Sequence, residues 1–370
     1  MNLVKTKRDL LLSPLQSVSG IVEKRHTLPI LSNVLLEKQG DTLTFLATDI
    51  EIQITTSSVV TDNAADGAVT VGAKKLQDIL RSLPESAEVS LDLDEKRLQV
   101  KAGKSRFSLQ TLPPEDFPRM AISDAQAGRV ELTQKKFRHL LAQTQFSMAA
   151  QDVRYYLNGL LLLIDGGELR AVATDGHRLA YASMEIGNDV SLPRQELILP
   201  RKTVLELNRL LSDSDEPLVI ETTANQIRFQ FGNISMVSKL IDGKFPDYER
   251  VIPASLKNHV LLNRTVLLQS MVRAAILTNE KFRGVRLILA QGSLKIMAAN
   301  AEHEEAQEEI EVEYSGDPID VGFNVGYLLD VLNNTASEMV EWGFNDANSS
   351  ALLSVPGNDR FKYVVMPMRI

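Results

Sequence analysis

Leu43-Thr44-Phe45-Leu46-Ala47-Thr48-Asp49 (43–49) returns 126 residues later as Leu169-Arg170-Ala171-Val172-Ala173-Thr174-Asp175 (169–175). After a further 125 residues it appears in the weaker form Leu294-Lys295-Ile296-Met297-Ala298-Ala299-Asn300. A second landmark, Leu112 followed by Phe117-Pro118, recurs as Leu240 followed by Phe245-Pro246 at a spacing of 128, and its third copy would fall where the chain ends in YVVMPMRI. Similarity at a fixed spacing marks a chain that repeats one structural unit, and three units of about 123 residues fill the 370-residue chain. The boundaries this predicts are 1–122, 123–249 and 250–370.

Around those landmarks each unit shows the same order of periodicities. Helix-like segments open the units at 7–18, 133–148 and 264–277, with apolar residues such as Phe137, Leu140, Leu141 and Thr144 at helical spacing. Alternating strand patterns follow, as in Thr42 to Ile54 and Glu168 to Met184. A second helix-like segment comes next, in which Leu76, Ile79 and Leu83 match Val204, Leu207 and Leu211, and Leu328 and Val331 continue the set. Strand patterns at Arg97 to Leu112 and Gln226 to Leu240 close the units, with Pro113-Pro114 and Pro246 near their ends. Two helices with many short strands predict an α+β unit whose helices cover one face of an antiparallel sheet.

Composition removes several classes. With no cysteine there is no disulfide framework, thiolate zinc site or cysteine nucleophile, and a cytoplasmic protein is expected. The first residues place Asp9 and Pro14 around a short Leu run, unlike a signal peptide. The longest apolar run, Leu160 to Ile164, is far below the ~20 residues of a spanning helix, so no membrane partner is expected.

The net charge of −8 argues against a nucleic-acid partner only if charge is evenly spread. It is not. The six helix-like segments together carry +9, which leaves −17 on the rest of the chain. Exposed helices collect Lys and Arg as good helix formers, but Glu forms helices equally well and is almost missing there. The alternative is that the helices share one surface that faces a polyanion. The chain ends differ as well: Lys101, Lys104 and Arg106 lead into the strand-like Phe107 to Leu112, whereas 302–313 holds seven glutamates. Such runs are usually solvated faces, yet opposite charge at opposite ends also suits head-to-tail self-association.

Long segments now carry a resemblance. TLPILSNVLL (27–36), FSMAAQDVRYYLNGLL (146–161), ATDGHRLA (173–180), LIDGKFPDYERV (240–251), ILTNEKFRGVRL (276–287) and the terminal YVVMPMRI resemble the bacterial DNA sliding clamps, the beta subunits of DNA polymerase III, in order over the whole chain. The resemblance implies two crescent protomers of three clamp domains each, joined head to tail as a homodimeric ring with helices lining the hole. It implies a processivity factor that encircles duplex DNA without sequence specificity. Its partners would be the clamp loader, the replicative polymerase catalytic subunit, and other clamp-binding polymerases and repair proteins. For DNA contact it carries over Arg25, Lys74, Gln151, Tyr155 and Tyr156, of which adjacent strand tyrosines could instead serve the core. For a partner-peptide pocket it carries over Arg154, Leu157, Thr174, Gly176, His177, Leu179, Pro246, Arg250, Val251, Asn324, Tyr327, Ser350, Val364, Met366, Pro367, Met368 and Arg369. For the dimer interface, Phe107 and Leu109 would pack on Ile276 and Leu277, with Lys104 and Arg106 facing Glu304 and Glu308.

Signatures of chemistry fail on inspection. Gly103-Lys104-Ser105 resembles the end of a phosphate-binding loop, but Leu98 stands where its first glycine is required and a strand pattern follows. His303-Glu304 begins a zinc motif that ends in Gln307. Asp175-Gly176-His177-Arg178 reads as a tight turn between strands, with no partnered nucleophile. No catalytic residue, metal or cofactor is expected. The rival readings are a nucleic-acid-modifying enzyme on a decayed repeat, which the missing ligand clusters oppose, and a repeat-built adaptor that never touches DNA, which the basic helices oppose.

Overall fold

The computed structural model describes every residue except 24–27, 63, 95, 122–127, 188–192 and 370. Among the described residues six α-helices form: α1 (Arg8–Val18), α2 (Ala73–Ser82), α3 (Gln134–Ala142), α4 (Arg201–Leu210), α5 (Arg264–Ala275) and α6 (Val325–Asn334). They stand in the order the periodicity predicts, two to a repeat. In α2 the buried positions Ala73, Leu76, Gln77 and Leu80 follow one helical stripe while Lys74, Lys75 and Arg81 face water. Asn263 caps α5 by accepting from the Thr265 and Val266 amides, and Asn324 caps α6 by accepting from the Gly326 amide. Pro14 lies inside α1 and cannot bond to the carbonyl of Leu10. Ser58 Oγ donates to that carbonyl instead, at 2.8 Å.

Two segments end earlier than periodicity suggests. The helix expected over 133–148 stops at Ala142, and a single 3-10 turn, Gln145–Ser147, follows. Thr144 explains the break, since its hydroxyl turns back onto the carbonyls of Leu140 and Leu141 and offers the backbone another partner. The strand expected over Thr42 to Ile54 is two strands, Thr42–Thr48 and Ile52–Val59, because Asp49 Oδ1 accepts from the amides of Glu51 and Ile52 and bends the chain.

The described chain forms two compact units, Met1–Lys136 with Leu205–Leu240, and Phe137–Val204 with Ile241–Ile370. All named strand pairings are antiparallel. In the first unit a twelve-stranded sheet runs from Asn2–Lys7 at one edge to Gly128–Thr133 at the other. Its middle joins two repeats: Ile52–Val59 pairs with Ile234–Lys239, in the register Thr55 to Ser235. In the second unit an eight-stranded sheet makes the corresponding join, Arg178–Glu185 pairing with Asn358–Val365. A four-stranded sheet completes that unit, with Glu305–Glu311 at its edge. Strand pairing therefore groups the chain differently from its repeats, because the first strand and the last three of one repeat extend a sheet begun in the one before.

Within the first unit α1 packs on α2 and on the strand Ile52–Val59, and within the second α5 packs on α6 and on Glu305–Glu311. Trp342, Tyr363, Phe323 and Phe361 are fully buried in the second unit, as is Phe45 in the first.

Candidate functional site

The second unit concentrates candidate residues around one turn. Thr174 ends the strand Glu168–Thr174, and Arg178 opens the next. Thr174 Oγ1 donates to the Arg178 carbonyl at 2.6 Å and accepts from the Gly176 amide at 3.1 Å. Asp175 Oδ1 accepts from the amides of His177 and Arg178 at 2.9 and 3.1 Å. The turn requires φ +89° at Gly176, a left-handed conformation that glycine adopts without penalty. The expected turn at 175–178 is thus present, closed by its own side chains.

Arg178 anchors this turn from behind. Its guanidinium donates to Asp175 Oδ2 at 3.0 Å, Asp330 Oδ2 at 2.6 Å and the Phe146 carbonyl at 2.6 Å, and lies 4.4 Å from the Tyr327 ring centre. Burial works against its charge, but Tyr363, Asp330 and Asp175 outweigh it and hold the guanidinium above its ordinary value. Burial pushes the Tyr363 hydroxyl above the usual tyrosine range, and that hydroxyl donates to the Tyr327 carbonyl.

Arg154 covers the turn from the other side. Asp152 Oδ1 accepts from the Arg154 amide at 2.8 Å and from its Nε at 3.1 Å, while Oδ2 accepts from Nη2 at 3.0 Å. Asn158 holds Asp152 in turn through two 2.8 Å bonds to its backbone. The Arg154 guanidinium beside Asp152 lowers that carboxyl to about 2. A Cβ on Gly176 would stand 2.9 Å from Arg154 Nη2, so the turn and the arginine touch.

Between these groups lies a recess of about 160 Å3, lined by Arg154, Leu157, Thr174, Gly176, His177, Arg178, Leu179, Pro246, Val251, Val364 and Met366. Val364 arrives because Leu179 pairs with it across the sheet, and the Met366 amide donates to the His177 carbonyl at 2.9 Å. Its floor is a core cluster of Leu161, Val172, Leu179, Ile198, Phe245, Tyr248 and Val364.

Other residues read as one pocket lie outside this lining. Arg250 is exposed and pairs with Asp247. Asn324 caps α6, and Tyr327 reaches the site through Arg178. Ser350 directly precedes Ala351, which pairs with Val365. Pro367 and Met368 run past the recess, where the Met368 amide donates to the Gly322 carbonyl, and Arg369 is exposed. Arg178 and Asp152 were missed. An arginine directly after an Asx turn, and an aspartate two before a site arginine, were the available signals.

The DNA-contact candidates fall in both units, Lys74 in the first and Gln151, Tyr155 and Tyr156 in the second. Arg25 lies outside the described residues. Lys74 is exposed on α2 and pairs with Asp78 at 2.8 Å. Gln151 is exposed with φ +59°. Tyr155 and Tyr156 do not lie in a strand as expected. They start a one-turn 3-10 helix, with Tyr155 58% exposed and Tyr156 packed on the core under the recess. Several helix cations are engaged internally: Arg264 donates to the carbonyls of Ser337 and Leu332, Arg201 to that of Met148, and Arg209 pairs with Glu206.

The charged interface candidates and Phe107 and Leu109 lie on or beside open sheet edges, whereas Ile276 and Leu277 follow α5. Ser105–Leu112 pairs fully with Arg97–Ala102 but meets Gly67–Gly72 only at Thr111 and Leu112, so its edge over Lys104 to Gln110 stays open. Phe107 and Leu109 share its half-buried face, and Arg106 its exposed one. Ile276, 75% exposed, follows α5, with Leu277 half-buried. Glu308 already pairs with Arg273 of its own protomer at 2.5 Å, and Glu304 accepts from Asn300.

Models of the DNA polymerase III beta subunit match the chain as an N-terminal domain over residues 1–121, a central domain over 131–247 and a C-terminal domain over 249–369. The beta sliding clamp of Pseudomonas aeruginosa is 48% identical over 367 residues, 98% of this chain and 99% of the relative. That of Escherichia coli strain K12 is 48% identical over 366 residues, with the same coverage. The crystal structure of the DNA polymerase III subunit beta from Pseudomonas aeruginosa superposes with a TM-score of 0.94 at 48% identity, covering all of both chains. The beta sliding clamp of C. crescentus, crystallised with PEG bound to a putative beta-motif tethering region, superposes with a TM-score of 0.93 at 39% identity over all of this chain and 99% of the other.

Proposed function

The chain belongs to the DNA polymerase III beta subunit family, the beta sliding clamps, and on that premise we propose how its surfaces divide the work of a processivity factor. A sliding clamp keeps a polymerase on its template by topology, encircling duplex DNA while it tethers the enzyme. The three domains are bounded at 1–122, 123–249 and 250–370, and two protomers close head to tail through Phe107, Leu109, Ile276 and Leu277. The open edges at 105–110 and 305–311, basic on one and acidic on the other, support that closure. Lys74, Gln151 and Tyr155 meet phosphates, where Lys, Gln and Tyr donors carry no sequence information. No bond is made or broken by the ring.

The recess around Thr174–Leu179 takes a short extended peptide with Leu and Phe anchors from polymerase, loader and repair proteins, which compete for one site per protomer. The observation that carries this is the preformed apolar recess itself, whose polar rim is set by Asp152, Asp175 and Asp330 before any partner arrives. Its two arginines and Met366 suit a site that accepts several ligands. The test removes residues 366–370, which spares the strand Asn358–Val365 and takes away Met366. The truncated dimer is expected to lose a polymerase C-terminal peptide in a fluorescence titration. Unchanged affinity would refute the pocket.

A further inference from the structure

We propose that the first repeat builds a second ligand recess, at the place corresponding to Thr174–Leu179, and that it takes a short extended peptide with an aliphatic anchor and a carboxylate. The peptide as occupant rests on the peptide reading of the first recess. The site itself rests on the geometry of the first unit.

The turn after Thr48 copies the turn after Thr174 bond for bond. Thr48 Oγ1 donates to the Ile52 carbonyl at 2.8 Å and accepts from the Ile50 amide at 3.0 Å. Asp49 Oδ1 accepts from the amides of Glu51 and Ile52 at 3.0 and 2.8 Å. The incoming strand makes the same contact as well: the Lys239 amide donates to the Glu51 carbonyl at 2.9 Å, as the Met366 amide does to that of His177. Pro118 takes the place of Pro246. Around this copy lies a recess of about 300 Å3, lined by Thr48, Ile50, Pro118, Arg119, Met120, Ala121, Gln226 and Lys239.

One residue departs from the copy. Where the first recess has Gly176, this one has Ile50 at φ +70°, a conformation that β-branched residues almost never adopt. Strain of this kind concentrates at ligand clamps, and here it holds an isoleucine 40% exposed in the recess. Ile50, Pro118 and Met120 offer an aliphatic anchor its surface. Arg119 and Lys239 stand at the rim, about half exposed, each in one ion pair with an exposed or half-exposed acid, Glu37 and Glu51. Pairs so open to water are weak and exchange readily for an incoming carboxylate. Gln226 donates to the Ala121 carbonyl, and its own Oε1 is enclosed without a donor. A peptide brings the N–H such an acceptor lacks, which a fatty acid or a simple anion does not.

The test is methyl NMR of the full-length dimer carrying labelled Ile and Met methyls, titrated with acetyl-Leu-Asp-Leu. Saturable shifts at Ile50 and Met120 are expected, and they should persist in the protein lacking residues 366–370. Arg119→Glu with Lys239→Glu should weaken them about tenfold, its remaining methyl spectrum reporting that the fold is intact. Shifts confined to Met366 would overturn the second site and leave the first standing, whereas silence at all three methyls would overturn both. Shifts at Ile50 that survive the charge reversal, or that follow protein concentration without the probe, would overturn the carboxylate peptide as occupant.

Discussion

Asp152 shows how one residue outside the recess lining can set a site. Its carboxylate accepts three bonds from Arg154, and that contact depresses its folded value to about 2. A depressed carboxylate is fully ionised above its ordinary range, so the clamp on Arg154 is complete at neutral pH and is lost only as pH falls toward 2. Asp152→Asn is expected to weaken peptide binding about threefold to tenfold without moving the thermal midpoint; anisotropy titration alongside calorimetry separates the two. Between pH 5 and 8 the wild-type affinity should show no change traceable to Asp152, a null that a pH series on both proteins checks. Ile50 makes the opposite case. Relieving a left-handed isoleucine returns about 1–3 kcal/mol, against an entropic cost of about 0.5–1 kcal/mol for glycine. Ile50→Gly should therefore stabilise the first unit by about 1 kcal/mol, read as a higher urea midpoint. Gly176→Ala should destabilise, since it meets both φ +89° and Arg154.

At the scale of elements, the proposed assembly rests on the open strands. The Ser105–Leu112 strand exposes Arg106 beside half-buried Phe107 and Leu109, and Glu305–Glu311 presents alternate glutamates. Because Glu308 is satisfied by Arg273, the acids left on its outer face to meet a basic partner are Glu305 and Glu311, with Glu309 accepting from Ser293 at 2.6 Å. On the proposed head-to-tail closure, Ile276 and Leu277 are expected to be buried in the seam. Ile276→Ala with Leu277→Ala should yield monomers, each truncation costing ~2–5 kcal/mol once packed; sedimentation at low concentration decides, and a persistent dimer would remove these residues from the interface.

For the whole molecule, charge segregation is real but smaller in effect than the helix total implies. Arg201, Arg209, Arg264 and Arg273 spend their donors on nearby carbonyls or acids, whereas Lys135 and Lys136 face water. DNA binding should accordingly be weak, indifferent to sequence and steeply salt-dependent. Lys74→Ala should lower the slope of log affinity against log salt by about 1 per lost phosphate contact, with the dimer intact. A marked preference for one duplex sequence at fixed salt would contradict this picture.

Local patterns determined much of this protein from the sequence alone. Helix stripes such as the one that carries Leu76, and the turn at Asp175, depend on residues within a few positions of one another, so periodicity and turn chemistry reveal them, and the repeats follow from comparing such local patterns; the turn at Asp49, inside the strand expected over Thr42 to Ile54, came only from the structure. Thr144 and the tyrosine pair were misread because a single side-chain bond or a one-turn helix leaves no period. Tertiary structure alone decided the partners. Alternation marks Ile52–Val59 as a strand but does not say that Ile234–Lys239 will pair with it, and Arg178 gives no sign that Asp330, 152 residues away, will hold it. Pairing edges and buried ion pairs are chosen by whatever the fold brings opposite, which is why the resemblance could name most of the recess lining, Arg154 included, while the Arg178 anchor and the internal engagement of helix cations such as Arg201 and Arg264 emerged only from the folded chain.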